Sequence, residues 1–137
     1  MKYMLDTNIC IELIRYKSPG MLKKLVSHLP GEVCISSITL AELAHGIEKS
    51  TQRDKNLLAL QQVILPLELA DFGQEAAIIY GKIRAELEKS GHMIGSMDML
   101  IGAHALNLDA ILVTNNTREF NRIKDLKLED WLSEVKK

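Results

Sequence analysis

The chain has 137 residues, 47% apolar and 26% charged, which suits one compact core, a single domain over residues 1–137, and leaves no room for a second. Six aromatic residues are too few for a surface that stacks one unpaired base after another. Seventeen basic residues against eighteen acidic ones give a net charge of −1, which excludes an all-round cationic coat but leaves room for a local basic patch.

Lys2–Leu5 is short and apolar, as a buried strand should be. Residues 8–15 and 19–29 read as helices, the second opened by Pro19 and stopped by Pro30-Gly31. Val33–Ser36 reads as a strand, Ile38–Lys49 as a helix, Gln52–Val63 as a polar helix, and residues 63–69 as a short strand or connector. Phe72, Ala76, Ile79, Ile83 and Leu87 recur at helical spacing and predict an amphipathic helix over Phe72–Lys89. A helix over Met97–Asn107, a buried strand over Ala110–Thr114, a helical turn over Thr117–Arg122 and an edge strand over Lys127–Trp131 complete the pattern. Apolar strands separated by helices argue for a mainly parallel sheet covered on both faces. In such a sheet the site lies beyond the carboxyl ends of the strands, where strand order reverses.

No apolar run approaches the ~18 residues of a membrane span, and no basic-then-apolar leader opens the chain. Cys10 and Cys34 lack metal-type spacing and read as small core residues of a reduced compartment. The expected location is the cytoplasm.

Three carboxylates stand in charge-free windows. Asp6 is the only ionised side chain between Lys2 and Glu12, Glu42 between Glu32 and Glu48, and Asp98 between Lys89 and Asp109. An unpaired buried carboxylate costs several kcal/mol, and no Lys or Arg lies in any of these windows to offset it. Each acid has a local explanation as well: Asp6 as a helix cap, Thr39 with Glu42 as a capping box, and Asp98 against a helix dipole. Brought together, two like charges ~4 Å apart repel by ~4 kcal/mol at an effective dielectric near 20. A hard divalent cation removes that conflict, and all-oxygen donors suit Mg²⁺ or Mn²⁺ rather than zinc.

After the strand AILVT, Asn116 and Glu119 read as a cap and its box partner, with a second possible use as a neutral oxygen ligand and an extra carboxylate. Thr7, Asn8 and Thr114 are candidates to orient the carboxylates by hydrogen bonds. LDTN at residues 5–8, Glu42 within SSITLAEL, Asp98 within IGSMDMLIGAHAL and the segment TNNTREF together resemble the VapC-type toxins of the PIN-domain ribonucleases. The resemblance covers nearly the whole chain. It implies a PIN-like three-layer α/β/α sandwich around a sheet of about five strands. It also implies a Mg²⁺- or Mn²⁺-dependent endoribonuclease that leaves 5′-phosphate and 3′-hydroxyl ends. The acidic site falls on Asp6, Glu42 and Asp98, with Asn116 at a position that is often Asp, a departure that bears on a second metal.

TNNTREF is similar to the subgroup that cuts initiator tRNA in the anticodon loop and so inhibits translation. The resemblance further implies a type II toxin–antitoxin system, a homodimer, and a small VapB-like antitoxin that sends a basic side chain into the acidic site. Apolar stretches near Ile9–Ile14 and Leu57–Leu65 could supply a groove for it, or simply be core. Arg84 and Arg118 head the basic residues expected to hold RNA, although a charged run is usually a solvated face. His45, three residues after Glu42, reads as structural, and His28, His45, His92 and His104 form no ligand pair. The competing readings are a PIN-like module that binds RNA or protein without cutting, and a phosphotransfer domain using Asp6 as nucleophile. The latter expects an acid two residues on, where this chain has Asn8.

Overall fold

The computed structural model describes residues 2–136. β1 (Tyr3–Leu5) is followed by α1 (Thr7–Tyr16) and α2 (Pro19–Val26), then β2 (Val33–Ser36), α3 (Ser37–Glu48) and α4 (Arg53–Ile64). β3 (Glu68–Ala70), α5 (Gln74–Ser90) and α6 (Ser96–Asn107) come next, and β4 (Ile111–Val113), α7 (Thr117–Phe120), β5 (Leu128–Glu129) and α8 (Trp131–Lys136) close the chain. The five strands form one sheet in the order β3-β2-β1-β4-β5, with every neighbouring pair parallel. β1 is the middle strand, with Met4 beside Cys34 on one side and Leu112 on the other. The chain first winds outward from β1 to β3, then returns to the other side of β1 for β4, so strand order reverses between β1 and β4.

Alternation along the strands divides the interior into two cores. Met4, Cys34 and Leu112 face α5 and α6, with Ile83, Leu87 and Met99 packed against them. Leu5, Ile35 and Val113 face α1–α4 and α8, with Ile9, Leu13, Leu43, Leu60 and Trp131. The three layers expected from the strand–helix pattern are present.

Several ends differ from the sequence reading, the long amphipathic helix starting at Gln74 rather than Phe72 and the turn after Thr117 ending at Phe120, and two others have a clear cause. α2 stops at Val26, three residues short of Leu29, because Ser27 turns its backbone N–H and hydroxyl onto the last carbonyls of that helix. The edge strand ends at Glu129, and Trp131 opens a helix instead. Asp130 causes the switch by accepting from the Ser133 backbone N–H at 3.1 Å and from the Ser133 hydroxyl at 2.7 Å, as a cap does. Trp131 is thereby fully buried, stacked on His28 at 5.1 Å and tilted against Tyr3 at 5.4 Å.

His104 in α6 is buried and ties three elements together. Its Nδ1 lies 2.7 Å from the Ser36 hydroxyl, and Asp71, beyond β3, is close enough to pull its pKa upward. Burial holds its pKa below the ordinary 6.5, so the ring is neutral at physiological pH. Cys10 and Cys34 are both free and buried, as read from the sequence. No helix among the described residues is long and apolar enough to cross a membrane.

Candidate active site

Asp6 follows β1 at the reversal point and is the N-cap of α1. Its Oδ1 accepts from the Ile9 backbone N–H at 2.9 Å, and its Oδ2 accepts from the Thr114 hydroxyl at the end of β4. Thr114 in turn accepts from the Asn116 backbone N–H at 2.9 Å. The two central strands are thus laced across their carboxyl ends by a buried Asp–Thr pair. Capping and a place in the crevice belong to one residue.

Glu42 projects from α3 and accepts from the Thr7 hydroxyl at 2.6 Å, while Thr7 also lies 3.3 Å from the buried Thr39 hydroxyl. This overturns the capping-box reading of Thr39 and Glu42. α3 begins at Ser37, and its cap is Ser36, whose hydroxyl accepts from Ile38 N–H at 3.0 Å. Glu42 is therefore held against the first turn of α1, next to Asp6. Thr39 is a member of this network that the sequence reading missed, though its place one turn before Glu42 puts both on one helix face.

Asp98 sits in the first turn of α6, beyond Gly95, where an added Cβ would come within 3.6 Å of its Oδ2. Glu119 comes from α7 and accepts from the Asn116 side-chain amide at 3.1 Å. Asn116 occupies the N-cap position of α7, yet its side chain makes no cap bond. The expected cap-and-box pair is replaced by a side-chain pair in which the amide of Asn116 donates to Glu119.

The electrostatics join these acids. Burial pushes the Asp6 pKa from its ordinary value near 3.8 up to about 6, against the downward pull of the Thr114 and Ile9 hydrogen bonds, and Asp98 and Glu42 push it up further. Asp98 is raised by burial first, then by Glu119 and Glu42. No Lys, Arg or His side chain is among the causes of either shift. Arg84 is tied to the Tyr80 hydroxyl at 2.8 Å and to Glu88 at 3.7 Å on α5, and Arg118 is exposed on α7. His45 is exposed on α3 rather than packed, which corrects its reading as a structural histidine.

Among the described residues no three acidic, imidazole or thiol groups stand in a ligating arrangement. Three of the carboxylates each have a hydrogen-bond donor of their own: Thr114 for Asp6, Thr7 for Glu42 and Asn116 for Glu119. The donor set is nevertheless all oxygen and strongly anionic, with two carboxyls held above their ordinary proton affinity. That is the chemistry a hard divalent cation fits.

A group of acids with no cationic side chain beside them, at the reversal point of a parallel sheet, defines a class of site, and comparison with known proteins gives the class a name. A PIN domain matches residues 3–126. The "tRNA(fMet)-specific endonuclease VapC" of Shigella flexneri is 43% identical over 131 residues, covering 96% of this chain and 98% of that protein. The "Ribonuclease VapC2" of Haemophilus influenzae is 41% identical over 132 residues, covering 96% and 99%. The DNA-bound VapBC crystal structure from Salmonella typhimurium matches with a TM-score of 0.91 at 43% identity, covering 96% of this chain and 98% of that one. The chain belongs to the PIN-domain family, in its VapC ribonuclease branch.

Proposed function

We propose that this protein is the toxin of a toxin–antitoxin pair, a Mg²⁺-dependent endoribonuclease (with Mn²⁺ as substitute) that cuts initiator tRNA in its anticodon loop. Asp6, Glu42 and Asp98 would hold the ion, with Asn116 and Glu119 at the edge of the same crevice. The carrying observation is that buried Asp6, at the reversal point, lies within electrostatic reach of Asp98 and Glu42, with no Lys or Arg side chain offsetting their charge, and is pushed up to about 6. Such a site gains most from a bound cation, and it favours the cutting reading over a module that only binds.

A bound ion would supply positive charge to a phosphate oxygen and acidify a water for in-line attack. The protein's own groups do the rest. Thr114 and the Ile9 N–H fix both oxygens of Asp6, and Thr7 holds Glu42. Asp98 lies within electrostatic reach of Glu119 and Glu42, and a carboxylate of this group that does not hold the ion would take the proton of an attacking water. Names of the relatives support the RNA target, and the VapBC structures support a VapB-like antitoxin as partner; a homodimer and a cytoplasmic location belong to the same proposal.

Expression of the chain followed by mapping of new 5′ ends across cellular RNA tests the proposal. One dominant cut in an initiator tRNA anticodon loop, reproduced by purified protein with Mg²⁺ and abolished by EDTA, is the expected result. No new ends, or cutting that EDTA leaves intact, refutes it.

A further inference from the structure

The face of α1 turned away from the sheet carries Asn8, Glu12, Arg15 and Tyr16, one or two turns apart on a single stripe. They line a cavity of about 380 Å³ closed by Asn115 and Asn116 after β4 and by Leu132 of α8. Asn116 belongs both to this cavity and to the acidic crevice, so the two adjoin. Asn8 is placed here by the fold, while Thr7 and Thr114 hold the carboxylates.

Among the described residues the side chains of Asn8, Glu12, Arg15 and Tyr16 have no hydrogen-bond or ion-pair partner. Other acids on the surface are paired where a cation lies within reach. Glu48 pairs with Arg53, Glu68 with Lys2 and Glu134 with Lys24. Arg15 lies one turn from Glu12, a favourable spacing for an ion pair, and yet the two stay apart. Glu12 is half-buried, an acceptor-only group pointing at a hollow rather than at a cation. Tyr16 is 67% exposed beside it, an aromatic face with nothing stacked on it.

A carboxylate repels phosphate but accepts from the exocyclic amino group of a base. An exposed aromatic ring stacks an unstacked base, and an amide such as Asn8 offers one donor and one acceptor to a base edge. Arg15 at the mouth suits the backbone of the same nucleotide. Resting on the ribonuclease reading, we propose that this cavity receives one splayed nucleotide flanking the scissile phosphate. Glu12 selects a base that bears an exocyclic amino group over one that carries a carbonyl there, and Tyr16 is the stacking wall.

The test is equilibrium binding of the full-length protein, in EDTA so that no cleavage intervenes, to two pairs of single-stranded pentanucleotides. Cytidine against uridine and adenosine against inosine each exchange an amino group for a carbonyl. At least one pair should differ by about ten-fold in favour of the amino base, the scale of one good base contact. Glu12→Ala should bring that ratio close to one. The ratio is the readout because removing a negative charge raises affinity for any RNA. Tyr16→Ala should weaken both members of the pair alike, and circular dichroism of both variants should match the parent. Equal binding within both pairs, or a ratio that survives Glu12→Ala, overturns the proposal. A Glu12-dependent ratio in a protein that never cuts RNA with Mg²⁺ or Mn²⁺ would sink the ribonuclease reading and leave this subsite standing.

Discussion

Asp6 shows how one side chain serves structure and chemistry at opposite cost. As a cap it stabilises α1 through Ile9, but as a buried carboxylate near Asp98 and Glu42 it resists ionisation until about pH 6. A folded pKa raised above the unfolded value means the fold binds the proton more tightly, so stability falls as pH rises from about 4 to about 6. Asn caps as well as Asp and carries no charge. Asp6→Asn should therefore abolish cleavage and, in EDTA at pH 7.5, stabilise the protein by about 2 kcal/mol, with the gain vanishing near pH 4. Urea unfolding at the two pH values measures this; a variant no more stable at either would contradict it. Thr114→Val removes a bond that holds the Asp6 pKa down. The acid limb of the cleavage pH profile should then move to higher pH, whereas a purely structural role would lower activity equally at all pH values.

At the scale of elements, helix ends place the site. α5 stops at Gly91, whose φ of +75° suits glycine, and α1 stops at Lys17, whose φ of +45° does not. Lys17→Gly should stabilise the fold by about 0.5–1 kcal/mol, and Gly91→Ala should destabilise it by about 1 kcal/mol, both read from thermal unfolding. The His104 tie between α6, β2 and the chain after β3 has its own pH signature. Its folded pKa is depressed, so its contribution is complete above the unfolded value near 6.5 and is lost as pH falls below it. That sign is opposite to the one for Asp6, so the loss below pH 6.5 should be cleanest in the Asp6→Asn background.

For the whole molecule, a net charge of −1 means that RNA affinity cannot come from a general field. On the proposed reading, binding rests on a few local contacts, and a cation at the acidic site adds to them at the scissile phosphate. Cleavage should therefore weaken steeply between 50 and 200 mM salt, by about ten-fold or more, through KM rather than kcat. A salt-independent KM would argue that phosphate contacts contribute little. The reversal of strand order between β1 and β4 decides where those contacts converge, because it brings Asp6 and Thr114, 108 positions apart, into one hydrogen bond.

Several features were readable from the amino-acid order alone. Apolar runs marked the strands, Pro19 and the 3.6-residue spacing marked helices, and the empty charge windows singled out Asp6, Glu42 and Asp98. These signals are local, since burial and periodicity act within a few residues. What the chain order left open was every choice between equivalent partners. It offered Thr39 and Glu42 as a capping box, and packing gave that cap to Ser36 and Glu42 to Thr7. It offered Asn116 as a cap, and the site gave its amide to Glu119. It ran the last strand through Trp131, and Asp130 turned that segment into a helix to bury the ring between His28 and Tyr3. A hydrogen bond between distant residues forms only where the sheet brings them together, and that is decided by tertiary packing.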